Sequence, residues 1–353
     1  MVLGGRTGGL NENQDVDNIT ISTIISDLVV AGLTATGLPS GVSIPFYDSG
    51  GGVVNPANCN AQVSIDGGPF VPASSVSKNG KTSTVWYYSY PTLFTPGSVH
   101  TVVASIQDTR GNTTTSSSLS FTVAAYSVVN SAWMVTSGVN TSAVGFRAKP
   151  YQSGIEPNNV WWADEQIEGL QGPCNSLVET GLETDAGYID YTGLINLNYT
   201  NCLGVMNENG NFQASNGYQE TQFPGIVTDP TCATNIDNTA EEFLCFLQFP
   251  AAGVYTMGVN SDDGFDLTTG PNPTDWGALS LGAFGLGGTP SYDQGRGSSD
   301  TIFSFVVTNA SGFYPFRLLW ENGTGGANCE WYVVQDGVKI LLNDPSPTNT
   351  TGI

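Results

Sequence analysis

Cations are scarce in this chain: nine Lys and Arg stand against 31 Asp and Glu in 353 residues, a formal net charge of -22. Nucleic-acid binding and attachment to anionic membrane surfaces draw on clustered Lys and Arg, so neither class is expected. Histidine is nearly missing, with His100 alone. None of the six cysteines (Cys59, Cys174, Cys202, Cys232, Cys245, Cys329) stands in a Cys-x-x-Cys pair, which removes the common Cys/His zinc patterns. No apolar run reaches the ~20 residues that span a bilayer, and the first residues lack a basic stretch followed by an apolar one, so membrane insertion is not expected. Long amphipathic helices of the Glu/Lys/Ala/Leu type are almost absent as well.

What is abundant is Gly, at 44 residues, together with Ser, Thr and Asn, while charged residues make up only 11% and aromatics 10%. That composition belongs to many short strands joined by many turns, an all-β chain. The length suits two domains. Cysteines without metal spacing fit disulfides in an oxidising compartment, hence an extracellular or cell-surface location. Cys59 stands alone in the first ~125 residues and the other five follow from residue 174 on, so at least one thiol is free, interdomain or intermolecular.

Residues 1–17 read as a flexible leader and residues 18–125 as a β-sandwich. Alternation is clear in Ala61–Ile65, Val99–Ile106 and Leu119–Val123, each ended by turn formers. Asp66-Gly67-Gly68 and Asp108 to Asn112 are turn candidates, because Gly and Asn tolerate positive φ. The segments "SIDGGPF", "GSVHTVVASIQDTRGN" and "LSFTV" resemble an immunoglobulin-like domain of bacterial surface proteins. The β-branched stretch at 18–25 is read either as the first strand of that sandwich or as a strand donated to another copy of the chain. Residues 126–158 read as a connector, 159–344 as a second, larger domain opening on a short helix in "VWWADEQIEGL", and 345–353 as a linker-like tail.

The chemistry concentrates in "GVYTMGVNSDDGFDLTTG", where an alternating strand delivers Asp262 and Asp263 to its end. Adjacent carboxylates suit a hard cation, since Ca²⁺ takes six to eight oxygens. No His or Cys lies nearby for a transition metal. Successive side chains on an extended strand point to opposite faces. Two neighbouring aspartates therefore share an ion only where the backbone bends, as a cis Asp-Asp peptide would allow, and Gly264 leaves room for the turn.

"AAGVYTMGVNSDDGFDLTTG", "SGFYPFRLLWENGTGGANCEWYVV" and, more loosely, "WWADEQIEGL" resemble the PA14 domain family, including its calcium-dependent lectin branch of fungal flocculins and epithelial adhesins. The two resemblances together imply an N-terminal Ig-like β-sandwich followed by a PA14-like β-sandwich or barrel. The PA14 likeness also implies Ca²⁺ held by Asp262, Asp263 and Asn328, with Glu330 and Tyr332 as carbonyl donors of open register. Trp320, Glu321, Asn322 and Trp331 are implied at the carbohydrate site, where either indole offers a flat face to a sugar or fills the core.

Catalysis has little to stand on. His100 reads as a strand residue rather than a base, and Asp164, Glu165 and Glu168 read as a solvated helix face rather than an acid/base pair. The expectation is a non-catalytic adhesion or carbohydrate-binding module whose partners are glycans. The competing expectation is a structural subunit of an extracellular filament, sheath or tandem-repeat surface protein.

Overall fold

A computed structural model of the chain describes residues 30–31, 34–47, 54–154, 158–172, 187–201, 203–226, 236–275, 277–283 and 295–345. The segment 18–25, the leader and most of the tail lie outside the described residues. Among the described residues the fold is all-β apart from one short helix and two turns of 3-10 helix. Among the described residues no helix is long and apolar enough to cross a membrane.

Ten strands build the first sandwich: β1 Val30–Ala31, β2 Thr36–Leu38, β3 Gly41–Tyr47, β4 Ala61–Ile65, β5 Val71–Pro72, β6 Ser75–Asn79, β7 Thr82–Tyr88, β8 Val99–Gln107, β9 Thr113–Thr115 and β10 Leu119–Thr122. One sheet runs β1-β3-β7-β6 with β2 on β3, the other β10-β8-β4-β5 with β9 on β8. The period of two places Val102, Ala104 and Ile106 of β8 inward, against Val42, Ile44 and Phe46 of β3. His100 lies on the same side at the rim. Its ring rests near Phe94 and Phe121 while Nδ1 pairs with Asp66 Oδ2 at 2.7 Å. Asp66 and Gly67 take the positive φ that their turn requires (49° and 73°).

The second sandwich comprises β11 Ser127–Val129, β12 Phe146–Gln152, α1 Val160–Ile167, β13 Ile189–Tyr191, β14 Asn196–Asn198, β15 Thr239–Gln248, β16 Gly253–Asp262, β17 Phe265–Thr269, β18 Leu279–Ala283, β19 Ser299–Val307, β20 Phe313–Asn322, β21 Asn328–Gln335 and β22 Val338–Leu341. Its sheets run β11-β19-β16-β21-β14, with β22 on β21, and β13-β12-β15-β20-β17-β18. Between them Phe243, Met257, Val259, Phe265, Phe305 and Phe316 form the buried core.

The segment 126–158 is not a plain connector. β11 pairs in parallel with β19, and β12 lies between β13 and β15. Its cations disguised β12 in the sequence: Phe146 and Ala148 face the core, while Arg147 and Lys149 stand on the other face over the Tyr188 ring, 4.5 and 5.4 Å from its centroid.

The helix starts where Asn159 Oδ1 accepts the Trp162 N–H at 2.7 Å, an ordinary N-cap. Val160, Ala163 and Ile167 seat it on Ala240 and Leu319, on the outer face of the second sheet. Asp164 corrects the sequence expectation of a solvated face: it is buried and paired with the buried Arg317, which also pairs with Glu242. A lone guanidinium under a helix needs such partners, because an unpaired buried charge is costly.

Candidate functional site

Along β16, Met257, Val259 and Ser261 point into the core, so Asn260 and Asp262 emerge on the outer face of the first of these sheets. There the alternation stops, because the Asp262-Asp263 peptide is cis. The turn that follows is held on every side. Ser261 Oγ donates to the Asp263 carbonyl at 2.7 Å, the Asp263 N–H donates to the Glu321 carbonyl at 3.2 Å, and the Glu321 N–H donates to the Gly264 carbonyl at 3.0 Å. Glu321 Oε1 accepts the Gly264 N–H at 3.1 Å. A Cβ on Gly264 would lie 2.4 Å from that same oxygen, so a larger residue would have to displace the Glu321 carboxylate from the turn.

Asp263 is anchored by backbone donors: Oδ1 accepts the Arg296 N–H at 2.7 Å and Oδ2 the Gly323 N–H at 2.9 Å. Arg296 braces the turn from beneath, its Nη2 donating to Ser261 Oγ at 2.7 Å and Nη1 to Thr301 Oγ1 at 2.8 Å. Asp262 is less provided for. Burial, and then the neighbouring Asp263 carboxylate, push its pKa up to about 7.

Asn328 opens β21 directly opposite Asp262 in the ladder, with Asn198 of β14 opposite it on the other side. Directly paired residues share a face, so Asp262, Asn328 and Asn198 form one polar row. Asn328 is fully buried, and its Nδ2 donates to Asn260 Oδ1 at 2.8 Å. Its Oδ1 is buried and accepts no hydrogen bond. Buried polar atoms are nearly always satisfied, so an orphaned acceptor beside a carboxylate calls for a missing electropositive partner.

Glycine lines the approach. A Cβ on Gly326 would stand 3.0 Å from Asp262 Oδ2 and 3.7 Å from Asn209 Nδ2, and one on Gly295 would stand 2.9 Å from Asp263 Oδ1 and 2.8 Å from Asn158 Oδ1. The loop carrying Asn209 is clasped to the sheet by Glu330, whose carboxylate accepts the Asn211 and Phe212 N–H groups at 2.8 and 2.9 Å. It is clasped again by Asp300, which accepts from Asn211 Nδ2 at 2.8 Å.

These residues fit a hard divalent cation: two carboxylates, an orphaned amide oxygen and close glycine backbone. Among the described residues no group of three or more His, Cys, Asp and Glu side chains is arranged for a metal. Carbonyl and water oxygens would therefore supply the rest of a calcium shell.

The structure brings Asp262 and Asn328 together and sets Asp263 beside them, but it removes the expected sugar platform. Trp320 is fully buried, stacked 4.2 Å from Phe223, and its Nε1 donates to the Asp262 carbonyl at 3.2 Å. Trp331 is fully buried beside Phe146 and Phe316. Glu321 serves the turn, and the buried Asn322 donates through Nδ2 to the Ile236 carbonyl at 3.0 Å. Neither indole therefore presents a face to a sugar, and Glu321 and Asn322 are buried within the turn and its surroundings. Glu330 and Tyr332 sit mid-strand with ladder partners on both sides, which commits their backbone to the sheet.

Arg296, Asn209 and Asn158 were not recognised from sequence, since they come from loops remote in the chain. The one available signal was Arg296 itself, a rare cation set between two glycines. Of the cysteines, Cys59, Cys245 and Cys329 carry free thiols. Cys174, Cys202 and Cys232 lie outside the described residues.

No family profile matches the chain and no curated protein matches it in sequence. Among solved structures, the PA14 domain of the MpAFP antifreeze protein is similar at 15% identity and a TM-score of 0.32, over 58% of this chain and 91% of that one. The Epithelial Adhesin 9 A domain from Candida glabrata, in complex with Galb1-3GlcNAc, is similar at 11% identity and a TM-score of 0.33, over 62% of this chain and 92% of that one. An anti-sigma factor domain-containing protein from Clostridium clariflavum is similar at 10% identity and a TM-score of 0.28, over 86% and 83% of the respective chains. Likenesses this distant carry no argument about what this chain binds.

Proposed function

We propose that the chain is a non-catalytic, extracellular or cell-surface carbohydrate-binding module that takes Ca²⁺ at Asp262, Asp263 and Asn328, with the first sandwich as an Ig-like spacer. The observation that carries this reading is the orphaned, fully buried Asn328 Oδ1 in the same cross-strand row as Asp262. A bound cation satisfies that oxygen and offsets the burial, and then the Asp263 repulsion, that raise the Asp262 pKa.

Each residue has a distinct task. Asp263, fixed by two backbone N–H groups, sets the position of the turn, while Asp262 brings the carboxylate with fewer partners. Asn328 adds a neutral oxygen, and Gly326 keeps space open above Asp262. Calcium, when bound, supplies coordination positions that sugar hydroxyls fill in place of water. Neutral glycans suit the site better than phosphorylated ligands, because a chain of net charge -22 repels anions. With both tryptophans buried, sugar selectivity falls to polar loop residues such as Asn209, whose Nδ2 stands beside Gly326, rather than to an aromatic platform.

The test is thermal unfolding in calcium and in chelator, run beside glycan-array binding under the same two conditions. An ion at one hundred times its Kd stabilises the native state by about 2.7 kcal/mol. The melting temperature of the parent is expected to rise with calcium, and Asp262→Ala to lose both the rise and glycan binding. An Asp262→Ala protein that keeps them refutes the assignment.

A further inference from the structure

The strand that carries Asn328 has a second end. β21 closes through Asp336 and Gly337, both in the left-handed region (φ 49° and 79°), and returns as β22. Positive φ at both central residues is what a tight two-residue hairpin requires, and Asp-Gly supplies it.

This hairpin tip does not end in solvent. Asp336 Oδ2 accepts the Ser75 hydroxyl at 2.8 Å, and Oδ1 accepts the Tyr88 hydroxyl at 2.8 Å. Both donors belong to the first sandwich. A Cβ on Gly337 would lie 3.1 Å from Cζ2 of Trp86, so the indole comes closer to the turn than a larger residue would comfortably allow.

The seat is built by pairing within the first sandwich. Ser75 of β6 lies opposite Trp86 of β7, and the Trp86 and Tyr88 rings are stacked at 6.4 Å with 16° between their planes. Trp86 Nε1 donates to Ser77 Oγ at 2.9 Å, which fixes the indole. Burial first, and the Asp336 carboxylate second, raise the Tyr88 hydroxyl pKa above its ordinary value, so it remains a donor at neutral pH. A second tether is the chain itself: only residues 123–126 separate β10 from β11. Within them the Tyr126 hydroxyl donates to the Phe94 carbonyl at 3.1 Å.

We infer that Asp336 latches the two sandwiches into one rigid unit, in which β21 is the spacer between the latch and the Asp262–Asn328 end. Eight residues of strand separate the two, roughly 26 Å at about 3.3 Å per residue. The first sandwich therefore works as a stand gripping the far end of the same strand, and the ion-site end points away from it. A flexible tether would scatter the orientation of that end, whereas the latch fixes it.

Small-angle X-ray scattering and differential scanning calorimetry on the full chain test this, comparing the parent with Asp336→Ala and with the Ser75→Ala/Tyr88→Phe double variant. The parent is expected to scatter as one fixed shape and to unfold with the sandwiches coupled. Each variant is expected to show a larger radius of gyration and to split the unfolding into two transitions. Scattering and calorimetric profiles that superimpose on the parent's overturn the latch, as does a parent that already scatters as two freely jointed bodies. If Asp336→Ala fails to fold, the double variant decides alone, because it leaves the hairpin turn intact. Calcium-dependent stabilisation of the second sandwich should survive in both variants, so loss of the latch is distinguishable from failure of the ion site.

Discussion

Glu241 offers the sharpest test of the second sandwich. It shares the inward parity of Phe243 on β15, has no exposed surface, and neither carboxyl oxygen has a hydrogen-bond partner. Burial raises its pKa well above the ordinary value, so it is held as the neutral acid. In the unfolded chain a glutamate loses its proton near pH 4.3. The sign follows from proton counting. Below that pH both states hold the proton and there is no charge-related cost. Above it the folded state keeps a proton that the unfolded state has released, so stability is lost as pH rises, until the folded pKa is reached. One proton of difference corresponds to about 1.4 kcal/mol per pH unit.

Glu241→Gln removes the titration while keeping the shape. Its amide is also left short of partners, which adds an offset that does not vary with pH. The slope, not the offset, is therefore the prediction: relative to the parent, the variant gains about 1.4 kcal/mol between pH 5 and pH 6. Urea denaturation followed by tryptophan fluorescence at several pH values measures this, and the subtraction cancels the other titrating groups. A variant-minus-parent difference that stays flat from pH 5 to pH 6 would mean that Glu241 is ionised in the fold, and the argument from burial would be wrong.

Two further outcomes concern the ion site. Asn328→Ala gives up the 2.8 Å hydrogen bond to Asn260 Oδ1, worth about 1 kcal/mol, and a longer one to its carbonyl, but also removes an unsatisfied buried oxygen costing about 1–3 kcal/mol, so chelator-treated protein should be close to unchanged in stability. In calcium the same variant should lose most of the stabilisation seen in the parent, and melting curves that rise equally for both would refute its role. Protons and calcium compete at Asp262, whose pKa stands at about 7. Apparent calcium affinity should accordingly fall below that pH, approaching about tenfold per unit. Isothermal titration at pH 5.5 and 7.5 checks this, and equal affinities would refute it.

Patterns that depend on near neighbours were legible in the chain. Alternation marked β8 and β16 because the two-residue period of an extended backbone is a local property. The demand for a bent peptide between Asp262 and Asp263 followed from the same period, and the turn at Asp66-Gly67 from the backbone freedom of its residues. Fold class needed nothing more.

Which face of a strand is interior, and which distant residues meet, had to wait for the tertiary structure. Trp320 and Trp331 carried no mark saying core or ligand platform, and the sandwich decided by covering both. β12 was hidden because Arg147 and Lys149 look like solvent residues until Tyr188 arrives beneath them. Asp164 meets Arg317 only after α1 docks on the second sheet, and Asp336 reaches Ser75 and Tyr88 only once both sandwiches exist. Backbone preference and side-chain period are set residue by residue along the chain. Burial and long-range partners are properties of the packed whole.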